Sequence, residues 1–191
     1  MAMASDRART GRQRRAPTPL DAARLDELAL TYVARFATTA AKLQRYLARK
    51  LRERGWEGER EPDLAALAAR YVELGYVDDE AFARARSGSL LRRGYGARRV
   101  GEALREAGIG EAIRDEVRAS AGAERRAALA LARKRRFGPF GRDALDPARR
   151  QKQIAAMLRA GHPLDSAREM VDASSETAAE QWAAECDEDE G

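Results

Sequence analysis

Gly55, Gly108 and Gly161 lie 53 residues apart, and each follows a large apolar residue four positions earlier: Leu51, Leu104 and Met157. A chain that stops a helix at the same register three times is constrained to a tandem architecture. The residue after such a glycine packs back on the one five positions before it, which pairs Leu51 with Trp56, Leu104 with Ile109 and Met157 with His162. The following helix keeps the register in Leu64, Val117 and Met170. His162 is the polar member of its series, and Gln153 interrupts the series of Leu47 and Val100. Gly75 carries the same flanks, Tyr71 and Tyr76.

Composition agrees with helices in small units. The chain has 41 Ala and 32 Arg, strong helix formers, but only 9 Val and Ile together among its 191 residues. Large apolar residues number 42, too few for one thick core because Ala buries little area. The expectation is an all-α fold of three tandem three-helix repeats in an elongated, curved, solenoid-like array. The repeats span about 21–75, 78–122 and 123–175. A disordered basic arm, 1–20, precedes them, and a disordered acidic tail, 176–191, follows.

Apolar spacings of three and four mark the helices. Leu25, Leu28, Tyr32 and Phe36 form the first; Thr38 or Thr39 caps the second, with Leu43, Leu47 and Leu51. Pro62 suits the first turn of the third. Asp78, Asp79 and Glu80 place negative charge where the fourth begins. Val100 and Leu104 mark the fifth, Ile113 and Val117 a short sixth. The seventh runs from about Ala123 to Phe137 and stops at Gly138-Pro139. Pro147 opens the eighth, and Leu164 to Val171 the ninth.

The formal charge of +5 conceals three zones. Residues 1–20 carry +4, residues 21–171 carry +9, and residues 172–191 carry −8. In the body, Arg92, Arg93, Arg98 and Arg99 surround Tyr95. Arg125, Arg126, Arg133, Lys134, Arg135 and Arg136 load the seventh helix, and Arg149, Arg150, Lys152 and Arg159 the eighth. Guanidinium forks suit phosphate or carboxylate, so the basic body points to an acidic partner. Tyr95 suits either a stacking contact or the core.

Catalytic chemistry has little to work with. His162 is the only histidine and Cys186 the only thiol, so no His- or Cys-rich metal site assembles, and no cofactor is implied. His162 sits at a helix stop, where cap packing explains it better than a triad. Gly94-Tyr95-Gly96 lacks the strand and the Lys-Ser/Thr of a phosphate loop. Asp78, Asp79 and Glu80 fit helix charge compensation better than magnesium. The reading is no enzyme, no metal and no small-molecule substrate. With no apolar run of about 18 residues, no signal peptide and one cysteine, the expected setting is the cytoplasm, with no membrane partner.

The run Gly75-Tyr76-Val77-Asp78-Asp79-Glu80-Ala81-Phe82-Ala83, then Arg92-Arg93-Gly94-Tyr95-Gly96, then Val100, Leu104 and Gly108-Ile109, resembles the RecX regulatory family. The family pattern usually has Pro where this chain has Ala97, and often Lys where it has Arg93. The resemblance covers about 25–172. It implies three tandem three-helix repeats and a regulator that binds the RecA recombinase in the groove of its filament on single-stranded DNA. Such a regulator restrains ATP hydrolysis, strand exchange and the co-protease activity behind the SOS response. The expected contacts are Arg92, Arg93, Tyr95, Arg98, Arg99, Arg133, Lys134, Arg135, Arg136, Arg149 and Arg150. Gly75, Tyr76, Asp78, Asp79, Phe82, Gly94, Gly96, Val100, Leu104 and Gly108 are assigned to folding. The acidic tail is read as solubilising, or as a DNA mimic. Two other readings stay open: a general nucleic-acid-binding helical repeat protein, and a helical scaffold unrelated to DNA.

Overall fold

The structure is a computed structural model that describes residues 18–142 and 145–185. The expected arm up to residue 17 and tail from residue 186 lie outside the described residues. The fold is all-α. Its helices are α1 (Ala22–Arg35), α2 (Ala40–Arg54), α3 (Leu64–Glu73), α4 (Asp79–Arg92), α5 (Ala97–Ala107), α6 (Glu111–Glu116), α7 (Ala121–Arg135), α8 (Pro147–Arg159), α9 (Leu164–Asp172) and α10 (Glu176–Ala184). A 3-10 turn, Gly138–Phe140, links α7 to α8.

Short polar residues start most of these helices by accepting an orphan first-turn amide. Asp21 accepts from Arg24, Thr39 from Lys42, Asp78 from Ala81, Ser120 from Ala123 and Asp146 from Arg149, at 2.8–3.3 Å. Each such cap stabilises its helix by about 1 kcal/mol. Pro62 lies outside α3; the cap is Asp63, whose carboxylate accepts from Ala65 and Ala66. A basic residue, Arg136, rather than Gly138, ends α7, in the left-handed conformation at φ 55°.

Burial falls into three clusters in chain order. Leu25, Leu43, Leu47 and Tyr71 centre the first, Leu90, Val100, Leu104 and Ile109 the second, and Leu131, Ile154, Met157 and Met170 the third. Alanines fill each, which is how so few large side chains suffice.

Two edges differ from the sequence expectation. Residues 176–184 form α10, not a solvated tail. Ser175 caps it, Ala179 and Ala183 are buried, and the Arg125 guanidinium lies 4.8 Å from the Trp182 ring centre. Apolar spacing missed it because small alanines, not leucines, seat it on α7. Leu20 likewise belongs to the first core: it is fully buried, and its amide donates to the Gly55 carbonyl at 3.0 Å. Its own carbonyl accepts from Glu57.

The repeated glycines mark joints between units. The second helices of successive units meet end to end, α8 to α5 and α5 to α2. At the first joint Thr39 at the start of α2 donates its hydroxyl to Ala107 O at the end of α5, 2.6 Å away. Asp79 accepts the Ala40 amide at 3.0 Å. At the second, Gly96 N donates to Ala160 O at 3.0 Å and Arg98 N to Gly161 O at 3.3 Å. At the second joint orphan amides at one helix start thus satisfy orphan carbonyls at another's end, whereas at the first the Thr39 hydroxyl serves the carbonyl; at both the dipoles align head to tail. Gly108 (φ 81°) and Gly161 (φ 98°) occupy these joints, and a side chain at either would strike the adjoining unit. Gly55 has no such neighbour; its carbonyl meets Leu20 instead.

Candidate interface for an acidic partner

Basic side chains are numerous, and carboxylates occupy many of them. Arg98 and Arg99 both bond Glu102, at 2.7 and 3.1 Å, and Arg98 also donates to Leu158 O at 2.7 Å. Those bonds hold Glu102 below the usual carboxylate range, the Arg99 hydrogen bond being the largest cause. Arg133 pairs with Glu180, and Arg150 grips Asp172 through two nitrogens. Asp172 is accordingly pushed down, chiefly by the Arg150 hydrogen bond. Arg98, Arg133 and Arg150 thereby tie helices together, while Arg99 pairs within α5. Arg92 and Arg93 are exposed, and Arg93 lies 5.5 Å from the centre of the Tyr95 ring. Tyr95 itself is half-buried against the second core.

A different set converges in the third repeat. The end of α7, the turn after it and one face of α8 enclose a groove of about 530 Å³. Its cations are Arg135, Arg136, Arg142, Arg149 and Lys152, and among the described residues no carboxylate lines it. Gln153, almost fully buried, forms its floor by accepting the Gly138 amide at 2.7 Å. That bond explains why the apolar series of Leu47 and Val100 breaks at this position: the amide side chain holds the groove's loop. Lys134 lies next to the groove in sequence but outside its lining. Arg142 carries no signal in the sequence, because it stands beyond the charge-dense seventh helix.

The motif residues divide between core and joint. Val100 and Leu104 are core, and Phe82 packs on it from the edge. Asp78 caps α4, Asp79 serves α2 across the first joint, and Glu80 pairs with Arg84 at 3.0 Å. Tyr76 donates its amide to Tyr71 O, and its ring is 55% exposed. Gly94 and Gly96 pass so close to the third repeat that a Cβ on Gly94 would lie 2.8 Å from Leu131 N. One on Gly96 would lie 2.6 Å from His162 N.

His162 belongs to this second joint. It is 4% exposed, its Nε2 is 3.0 Å from the Gly94 carbonyl, and its buried Nδ1 has no partner. Burial pushes its pKa below the ordinary 6.5, opposed by the Gly94 hydrogen bond. The unfolded chain therefore takes up a proton more readily than the folded one. Stability is full above about pH 6.5 and is lost as pH falls from there toward the depressed folded value. We expect the melting temperature to drop between pH 7 and pH 5.5. His162→Leu should flatten that dependence; an unchanged slope would assign the loss to other groups.

Among the described residues, no helix is long and apolar enough to cross a membrane, and no cluster of His, Cys, Asp and Glu is placed to hold a metal. Fold and surface together define a tandem helical-repeat protein with a cationic groove in its third repeat. Residues 78–117 match the second three-helix domain of RecX. The regulatory protein RecX of Myxococcus xanthus (strain DK1622) is 32% identical over 159 residues, covering 78% of this chain and 85% of that one. Its counterpart in Mycobacterium sp. (strain KMS) is 33% identical over 165 residues, 81% and 86% of the two chains. The crystal structure of RecX from Lactobacillus salivarius shares the fold, with a TM-score of 0.60 at 17% identity over 76% of this chain and 90% of that one. The chain belongs to the RecX family of regulatory proteins.

Proposed function

We propose that this protein binds the RecA recombinase filament on single-stranded DNA in the cytoplasm. There it restrains recombinase, ATPase and co-protease activity, and so modulates recombinational repair and the SOS response, without catalysis of its own. Family membership supports the class of function. The observation that carries the site is the third-repeat groove, where Arg135, Arg136, Arg142 and Lys152 have no carboxylate partner within 4 Å among the described residues, while Arg98, Arg99, Arg133 and Arg150 do. Like charges held together without counter-charge favour an anionic partner, and neutralisation on binding returns that repulsion as affinity.

The test is the DNA-dependent ATPase of the recombinase, titrated with this protein at two salt concentrations. Inhibition at substoichiometric to stoichiometric ratios, weakening at the higher salt, is the expected result. Tight binding to naked DNA with no effect on the ATPase would support a general nucleic-acid-binding protein instead. No effect on either would favour an unrelated scaffold.

A further inference from the structure

The first repeat carries a second cationic surface, built differently from the groove in the third. Lys42, Arg45, Arg49 and Arg52 fall at spacings of three, four and three on α2, which puts them on one helix face. Between them stands Tyr46, whose ring stacks on Tyr32 of α1 with centroids 4.2 Å apart and planes 13° from parallel. Tyr32 in turn meets Phe36, 5.4 Å away, and Phe36 is 56% exposed at the end of the row. Arg49 and Lys50 flank the Tyr46 ring at 5.7 and 5.9 Å. The two tyrosines and the four cations line a groove of about 560 Å³ with no acidic residue in its wall among the described residues.

The charges here are poorly compensated. Among the described residues Arg52 makes no ion pair within 4 Å, Arg49 shares Glu53, 3.8 Å away, with Lys50, which bonds it at 2.6 Å, and Arg45 bonds the Glu106 carbonyl oxygen rather than a carboxylate. Lys42 lies 4.3 Å from the centre of the Phe82 ring. Its pKa is lowered, first by burial and then by Arg86 and Arg45. An acidic peptide would use these cations but leave the row of rings without a role. Flat heterocycles strung on a phosphate chain use both, provided the bases are unpaired and free to stack.

We propose that the first-repeat face of Tyr32, Phe36 and Tyr46 with Lys42, Arg45, Arg49 and Arg52 is a single-strand nucleic-acid site. Bases extend the aromatic row from its exposed Phe36 end, and phosphates lie along the α2 cations. This goes beyond the filament reading, because it concerns the naked strand.

The experiment uses the full chain, without recombinase. Fluorescence anisotropy compares a labelled oligothymidylate with an abasic phosphodiester strand of equal length. The oligothymidylate should bind at least about tenfold more tightly, since stacking contributes about 1–3 kcal/mol per base. Phe36→Ala, at an exposed position, should erase most of that preference while melting stays unchanged. Arg52→Gln should weaken both strands alike and lower the salt slope by about 0.7. Equal binding of the two strands, or a preference that survives Phe36→Ala, overturns the proposal. So does displacement of the strand by polyglutamate at equal charge concentration, which would point to an acidic protein partner. Loss of stacking with ATPase inhibition intact rejects this site alone; the reverse rejects the filament reading alone.

Discussion

Gly96→Ala opens the joint between the second and third repeats and costs about 3 kcal/mol, read as a lower midpoint in denaturant unfolding. The backbone at Gly96 is ordinary (φ −81°, ψ 170°), so conformational strain is not the cause. The cause is contact. An added methyl meets the Gly161 carbonyl and the His162 amide, which are backbone atoms and have no rotamer to yield. To make room the two units must separate, and the bonds from Gly96 N to Ala160 O and from Arg98 N to Gly161 O lengthen together. Gly101→Ala is the control: its Cβ would meet nothing closer than the end of the Arg105 side chain, 3.9 Å away. It should be neutral or stabilising by up to about 1 kcal/mol, because alanine favours helix. Equal losses at both positions would mean that the close approach is not what selects glycine.

The second large effect is functional. Removing the groove's unpaired charges with Arg135→Gln, Arg136→Gly, Arg142→Gln and Lys152→Gln should raise the concentration needed to inhibit the recombinase ATPase about a hundredfold. Charge-assisted contacts contribute on the order of 1 kcal/mol each and overlap when clustered. The choice of glycine at position 136 serves a purpose. Arg136 holds φ 55°, a conformation that glycine adopts more readily, so the variant loses charge without losing fold. Charge reversal at Arg98 and Arg99 is a poorer probe, since both bond Glu102 and Arg98 also reaches the third repeat through Leu158 O. A folded quadruple variant that inhibits normally would exclude this groove as the contact.

Much of the fold was legible in the residues. The expected cap Thr39 and the charge of Asp78 at the start of α4 act within one helical turn, so local sequence contains both donor and acceptor. The apolar register of Leu51, Leu104 and Met157 also acts locally, which is why the helix stops at Gly55, Gly108 and Gly161 are legible in the sequence. Long-range roles were hidden. Asp79 looked like helix charge compensation, yet its carboxylate serves a helix 39 residues earlier. Gln153 looked like a flaw in the repeat and proves to hold the groove's loop. The α10 segment looked like tail because its buried alanines carry no strong apolar signal.

The site divides in the same way. Sequence by itself determined that the protein is helical, tandem and basic between zones of opposite charge, because composition and period are properties of the chain. It could not say which other arginines are available, since pairing there depends on carboxylates brought from elsewhere, Glu180 to Arg133 and Asp172 to Arg150, whereas Glu102 pairs with Arg98 and Arg99 within a single helical turn. Only tertiary structure decided that. It moved the open charge to Arg135, Arg136, Arg142 and Lys152 in one unit and to the α2 face in another. The recurrent glycines changed meaning for the same reason. A helix stop needs only its own turn, but the joints at Gly108 and Gly161 need a second unit against which a side chain would collide.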